Sequence, residues 1–549
     1  MKHYGIKGMS IAVIHNYRID WAKGYGWADE TEKRPVTPET LFEPGSISKS
    51  LNAVGILKLA QEKKLDLYTD INTYLRSWKF PYDSLSKGKK ITLADILSHQ
   101  AGLSVHGFPG HSITGDIPTI YQVLDGQAPA LTPAVRSEFE PGLKFQYSGG
   151  GTSISQVILT DITGQPYDQW MYEQVLQPIG MINSSYSWPK PGINPERYAT
   201  AYHADGTPVY NKFHVYPEQA AAGLWMTPSD LCRYIIDMQL AYKGGKSAVL
   251  DAEMVKLHLT PYNNGPAAMG TFIDNLDGAT YFQHGAGNDG FCGQFFASLE
   301  EGNGVVIFLN TENFSLVFDV INSVAKAYDW KNFYHEPKRK NTEPVITVPD
   351  NVLDTYTGIY FFDDQWASVE RKDGKLCFYT DGTYADMYFT SETTFFNREF
   401  AAVKAFRKDQ KGKVCGYTRI VEGKTLADAQ KAGNIQKLVR PLSNLEEVGW
   451  YLIGKRKYPE AISYLERGVE LYPEDLNARL NLAHAYLFNN NYKKAMAIYQ
   501  ANKDRKIQGN YTWTDGLKND YIYFKEHQYD VSAFERLFND LGIEKPKGY

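Results

Sequence analysis

Phe42-Glu43-Pro44-Gly45-Ser46-Ile47-Ser48-Lys49 runs straight into Ser50 to Lys63, where Leu51, Val54, Leu57 and Leu59 recur at helical spacing. A Ser-x-x-Lys at a helix start sets the lysine one turn beyond the serine, on the same face. The serine N–H then lies at the positive end of the helix, where backbone donors are unpaired. A serine hydroxyl is a weak nucleophile until a base takes its proton. A lysine one turn away can do that, or can tune another base. The same spacing also describes an N-capping serine beside a solvated lysine, so its meaning rests on what else the chain supplies.

Two further segments supply it. Phe139-Glu140-Pro141-Gly142 leads to Phe145-Gln146-Tyr147-Ser148-Gly149-Gly150-Gly151, a tyrosine in a glycine-rich turn that can project its hydroxyl into a cleft. A phenol near pKa 10 is rarely ionised at neutral pH, and an adjacent lysine cation would stabilise the phenolate. Later comes Tyr281-Phe282-Gln283-His284-Gly285-Ala286-Gly287-Asn288-Asp289-Gly290-Phe291. Gly285 to Gly290 formally matches GxGxxG, but Phe291 to Ala297 alternates as a strand rather than opening a helix, which argues against a dinucleotide site. A glycine-rich edge strand instead lets backbone N–H groups approach a bound carbonyl closely. The rival Gly110-His111-Ser112-Ile113-Thr114-Gly115 places its second glycine one residue late for a nucleophile elbow. No HExxH and no paired Cys/His spacing occurs, so neither a metal nor another cofactor is expected. His99, within Leu97 to Leu103, reads as a structural hydrogen-bonder.

The chain has 549 residues, enough for three or four domains. Its 63 acidic and 58 basic residues leave a net charge of −5, which gives no electrostatic case for a nucleic-acid partner. Hydrophobic residues at 43% and charged ones at 22% exclude a large disordered protein. Cys232, Cys292, Cys377 and Cys415 are too few and too scattered for a disulfide framework and read as buried thiols. No apolar run approaches the roughly 18 residues of a membrane span. Aromatics reach 14%, with 39 tyrosines; aromatic walls suit a bulky apolar ligand, but a barrel core would look the same.

Three regimes follow one another. Residues 1–335 begin with a buried strand, Met9 to His15, its hairpin partner Arg18 to Gly26 and a turn near Asn16. They end with the strand Gly304 to Leu309 and a helix over Phe314 to Trp330. Strands at both ends around a helical middle predict an α+β domain whose sheet joins its own termini. Residues 336–345, charged and Pro-containing, read as a linker. Residues 346–440 read as a small antiparallel barrel or sandwich with hairpin turns at Asp373-Gly374 and Asp381-Gly382. Residues 441–549 are helical. Tyr458 and Ala461 return 34 residues later as Tyr492 and Ala495, with Gly449 and Ala483 in matching places, a tetratricopeptide period. Two repeats are expected, with 515–541 as a capping helix pair. Two are too few to stand alone, so they should dock on the rest of the chain.

Taken in order, the three motifs resemble the serine β-lactamase and penicillin-binding-protein superfamily, and most closely its class C-like branch of esterases and D-amino-acid peptidases. Ile91 to Leu103, Val175 to Met181 and Ala222 to Leu231 are similar to further signature segments of that branch. The resemblance implies an antiparallel sheet flanked by helices. It makes Ser46 the acylated nucleophile, Lys49 its proton partner and Tyr147 the general base and later acid. The N–H groups of Ser46 and Gly287 would form the oxyanion hole, with His284, Gly285, Ala286 and Gly149 at substrate-binding positions.

The departures matter as much. Gly149 stands where the family pattern Tyr-x-Asn has its amide, and His284-Gly285-Ala286 replaces Lys-Thr-Gly. A histidine is mostly neutral at pH 7, so the site lacks a dependable cation for a substrate carboxylate. An ester or amide without an obligatory free carboxylate is therefore the expected substrate, and Ala286 is expected to narrow the strand side slightly. The barrel region resembles lipocalin-like domains attached to some of these hydrolases, through Tyr356-Thr357-Gly358-Ile359-Tyr360, and could cover the mouth of the site. The repeats imply a possible protein partner. Alternative readings are an acyltransferase using the same acyl-enzyme on an alcohol or amine, and a non-catalytic ligand sensor or scaffold. The family's address is extracytoplasmic, periplasmic in bacteria, which this chain would share if it is a trimmed piece of a longer protein; otherwise it would be cytoplasmic.

Overall fold

The computed structural model describes residues 1, 4–204, 206–263, 265–333, 344–362, 365–372, 374–380, 383–397, 402–421, 424–508 and 511–546. The first sheet has seven antiparallel strands. In spatial order they are Arg34–Pro35, Arg18–Asp29, Gly8–His15, Gly304–Leu309, Phe291–Ser298, Ala279–Asn288 and Phe272–Leu276. Gly8–His15 lies between its hairpin partner and Gly304–Leu309, so the sheet joins both ends of this region as its sequence implies. The strand alternates its allegiance. Ala12 and Ile14 enter the core shared with the helical middle, whereas Ile11 and Val13 pack towards Val317–Ala327 on the other face. That second helix is shorter than Phe314 to Trp330, because Phe314–Leu316 forms a separate tight turn.

Ser48–Gln61 is buried on nearly every side, with Leu51, Ala53, Val54, Ile56, Leu57 and Leu59 all shielded, so it runs through the middle of the core. Gly55 allows the close passage by Met171: an added Cβ would meet the sulfur at 2.6 Å. This central burial fixes the position of the helix start, and hence of Ser46.

The second sheet has nine antiparallel strands in a nearly closed barrel. Its two edge strands, Thr383–Asp386 and Tyr388–Phe389, are neighbours in the chain. The aromatic residues fill it. Tyr356 and Phe406 stack at 4.0 Å and 2°, with Tyr360, Phe395 and Tyr417 around them, all buried. The aromatic excess of this region is therefore core rather than ligand wall. Lys372 pairs with Lys375 and Thr380 with Thr383, as the two expected hairpins require. Asp373 and Asp381-Gly382 lie outside the described residues, as does most of the 336–345 linker.

The helical region pairs Leu442–Gly454 with Tyr458–Leu471 and Leu476–Phe488 with Tyr492–Asn502, a 34-residue repeat of both helices. Gly449 permits the tight crossing, since a Cβ there would sit 2.5 Å from Leu465. Trp513–Glu526 and Ser532–Leu541 add a third pair off that period. A short hairpin of Lys506–Gln508 and Tyr511–Thr512 precedes it, with no sequence signal. The repeats dock on the barrel: Ile359 and Phe361 share a core with Leu445, Val448 and Leu465, and Trp366 Nε1 donates to Glu447 at 2.9 Å. Among the described residues no helix is long and apolar enough to cross a membrane.

Candidate active site

Ser46 sits in a single tight turn, Gly45–Ile47, that feeds Ser48–Gln61. Gly45 has φ +46°, and a Cβ there would lie 2.8 Å from both N and O of Gly287. Glycine alone permits this contact, which sets the serine turn against the Gly-rich strand. That strand is open where it matters. Phe272–Leu276 pairs only with Ala279 to Gln283, so among the described residues His284 to Asn288 have no partner strand on that side. The strand end is tied back by Asn288, whose Nδ2 donates to Glu43 Oε2 at 2.6 Å and to Ala222 O at 3.1 Å. Burial raises the Glu43 carboxyl well above the usual range, against the pull of that hydrogen bond.

Lys49 is 4% exposed and donates from Nζ to Ser46 Oγ at 3.1 Å and to Ala221 O at 2.8 Å. Its ammonium lies 4.9 Å from the centre of the Tyr147 ring. These partners are dipoles and a ring face rather than a counter-ion, and desolvation drives the Lys49 pKa down to about 7. Tyr147 moves the other way. Burial raises its hydroxyl pKa, and a hydrogen bond with Ser46 only partly opposes this. The expected phenolate stabilised by a lysine cation is thus not what the structure favours. Burial thus favours the protonated phenol of Tyr147 and the neutral amine of Lys49.

Tyr147 is held by His99, a residue the sequence presents only as a structural hydrogen-bonder. The Ser148 N–H donates to His99 Nδ1 at 3.2 Å, and the Gln146 N–H donates to its carbonyl at 2.8 Å. The two rings stand 4.2 Å apart. His99 has φ +58°, and burial first, then Lys49 and His284, hold its pKa well below the usual histidine range, so the ring is neutral. His106 closes the other side by donating from Nδ1 to Tyr147 O at 2.5 Å.

The positions that depart from the family pattern each have a structural cause. His284 is buried with its ring 6.3 Å from Tyr147; burial and then Lys49 lower its pKa to about 3, so it carries no charge at neutral pH. A Cβ on Gly149 would meet Phe108 Cε2 at 2.8 Å, so an aromatic ring fills the space beside it. Ala286 is buried in the main core, so its methyl does not narrow the rim of the cleft. Gly285 faces Gln294, and Gly287 is exposed with open space on the side a Cβ would occupy. Sequence reasoning missed Glu43, Phe108 and Phe272, whose ring lies 5.2 Å from His284 and 6.4 Å from Tyr147. Only Glu43 left a signal, inside the quoted nucleophile segment.

Fold and site define a class: an α+β serine hydrolase fold in which Ser46, on the turn before a buried helix, stands beside an open strand edge. Residues 1–325 match the Beta-lactamase family, and the chain belongs to it. Residues 452–503 match a tetratricopeptide repeat. Protein flp of Staphylococcus aureus strain MRSA252 is 29% identical over 229 residues, covering 41% of this chain and 42% of the relative. Protein flp of strain MW2 is 24% identical over 311 residues, covering 56% and 60%. The chain thus spans only 42% and 60% of these relatives. Among solved structures, the octameric penicillin-binding protein homologue from Pyrococcus abyssi aligns over 78% of this chain and 97% of its own, with TM-score 0.52 and 18% identity. The D-amino acid amidase from Ochrobactrum anthropi SV3 with L-phenylalanine aligns over 60% and 95%, with TM-score 0.50 and 20% identity. These two are likenesses of fold.

Proposed function

We propose that the protein hydrolyses an ester or amide through an acyl-enzyme on Ser46, with Lys49 as the base. One observation carries the reading: a desolvated amine with pKa about 7 sits 3.1 Å from a partly exposed serine hydroxyl. Neutral Lys49 takes the Ser46 proton as Oγ bonds to the carbonyl carbon. The oxyanion forms beside the N–H groups of Ser46 and Gly287. The proton then passes from Lys49 to the leaving group, whose bond to carbon breaks, with the Tyr147 hydroxyl as a neutral donor in that transfer. Water repeats the sequence in reverse roles to release the acid.

Substrate class follows from charge. With His284 neutral and Phe108 beside Gly149, no fixed cation or side-chain amide stands at these two positions for a carboxylate or peptide group. Neutral acyl compounds fit better than β-lactams. Fluorophosphonate labelling and turnover of a chromogenic short-chain ester test this. Wild type should label and turn over, and Ser46→Ala should lose both by roughly 10⁴-fold or more. Equal activity in Ser46→Ala would sink the reading, and product analysis with added alcohol or amine distinguishes hydrolysis from acyl transfer.

A further inference from the structure

Far from Ser46 in sequence, four side chains converge where the hydrolase sheet meets the last helical pair. Asp289 follows Asn288 at the end of the Gly-rich strand, His203 comes from the loop beside it, and Glu312 follows Gly304–Leu309. His527 is the residue that ends Trp513–Glu526. One nitrogen of each imidazole and one oxygen of Asp289 lie within 4.8 Å of one another. The His203 and His527 rings are 3.9 Å apart, and His203 Nδ1 lies 3.3 Å from Glu312 Oε1. We propose that His203, Asp289 and His527, with Glu312 beside them, bind one divalent transition-metal ion of the zinc class.

The donor chemistry fits. His527 Nδ1 is 2.8 Å from Tyr523 O; a carbonyl can only accept, so Nδ1 carries the proton and the Nε2 lone pair is left for a metal. An imidazole whose other nitrogen donates to a backbone carbonyl is the usual second-shell arrangement of a histidine ligand. Glu312 is aimed by the backbone: Ala204 N–H donates to Oε2 at 3.1 Å and Gly290 N–H to Oε1 at 3.4 Å. His214 stands behind the cluster, its Nδ1 3.0 Å from Asp289 and its Nε2 3.2 Å from Glu526. Two nitrogens and a carboxylate select zinc-like metals over magnesium, which prefers all-oxygen ligands. Zinc bonds of about 2.0–2.2 Å require ligand atoms about 3.3–3.6 Å apart, so binding would draw these atoms together by about an ångström and tilt the stacked His203 and His527 rings towards the ion.

No sequence motif marks this site because its ligands come from three distant stretches. The ion would clamp the helical region to the strand that carries Gly287, two residues before Asp289. The test uses the untagged full chain, dialysed against Zn²⁺ and then metal-free buffer, with bound metal counted by elemental analysis and Co²⁺ absorption reporting the ligand set. One Zn²⁺ per chain is expected, along with a higher melting temperature and no comparable retention of Mg²⁺. His527→Gln and Asp289→Asn should each weaken Zn²⁺ binding at least 10-fold, with unchanged circular dichroism in metal-free buffer. No retained Zn²⁺ in wild type, or retention unaltered in both folded variants, overturns the proposal. Neither readout depends on Ser46 chemistry.

Discussion

Lys49 beside Ser46 and Lys404 inside the barrel are both almost fully shielded, at 4% and 3% exposure. Lys404 donates to Asn397 Oδ1 at 2.7 Å and lies 4.8 Å from the Phe378 ring. Lys49 also has a ring and a carbonyl for company, but its third neighbour is a serine hydroxyl on a turn held against an open strand edge. Burial makes an amine easier to deprotonate wherever it occurs. In the reading proposed above, what turns that into chemistry is a proton to take and a place for substrate, and Lys49 has the Ser46 hydroxyl at 3.1 Å beside the open strand.

The comparison breaks or holds on paired substitutions. Lys49→Met should lower kcat/KM for an ester by about 10²–10⁴-fold, whereas Lys404→Met should leave kcat/KM nearly unchanged and show its effect in a denaturant melt, about 1–3 kcal/mol. Equal losses of activity would erase the distinction. Next in size is the pH profile. Lys49 must be neutral to act, so kcat/KM should rise about tenfold per pH unit below about 7 and level off above it. A midpoint near 10 would mean that burial does not tune this amine. Tyr147→Phe removes a proton-transfer hydroxyl but leaves its ring on His99, and should cost about 10–100-fold in kcat with little change in stability. Smallest is Gly149→Asn, which drives an amide into Phe108. It should destabilise by about 1–3 kcal/mol, and Phe108→Ala in the same chain should recover part of that, read as coupling in a double-mutant cycle.

The features legible in the sequence are those written over short spans. Ser46 and Lys49 lie one helical turn apart, Gly285 and Gly287 mark a strand that something approaches, and Tyr458 and Tyr492 announce a repeat. The helix through the core, the joined sheet and the helical pairs follow from such local signals. The rest depends on partners distant in the chain. Phe108 explains Gly149, Ser148 fixes the tautomer of His99, and His527 meets His203, and no periodicity connects any of these pairs. The lysine and tyrosine protonation states were hidden for a related reason: both depend on how much water the finished fold excludes. The aromatic-rich stretch from Tyr356 to Tyr417 was ambiguous in principle, since filling a barrel and lining one use the same residues.

The pairing of Gly8–His15 with Gly304–Leu309 has a consequence for synthesis. The strand that opens the hydrolase sheet must wait for its neighbour, since Leu309 is made some 300 residues later. At roughly 5–20 residues per second this is a delay of about 15–60 s. During that interval Ile11, Val13 and the leucines of the core helix Ser48–Gln61 have no finished sheet to cover them. The 34-residue helical pairs, by contrast, can close almost as fast as they emerge. In a nascent chain the hydrolase region is thus the slow, aggregation-exposed part, and the strand that completes its centre arrives nearly last.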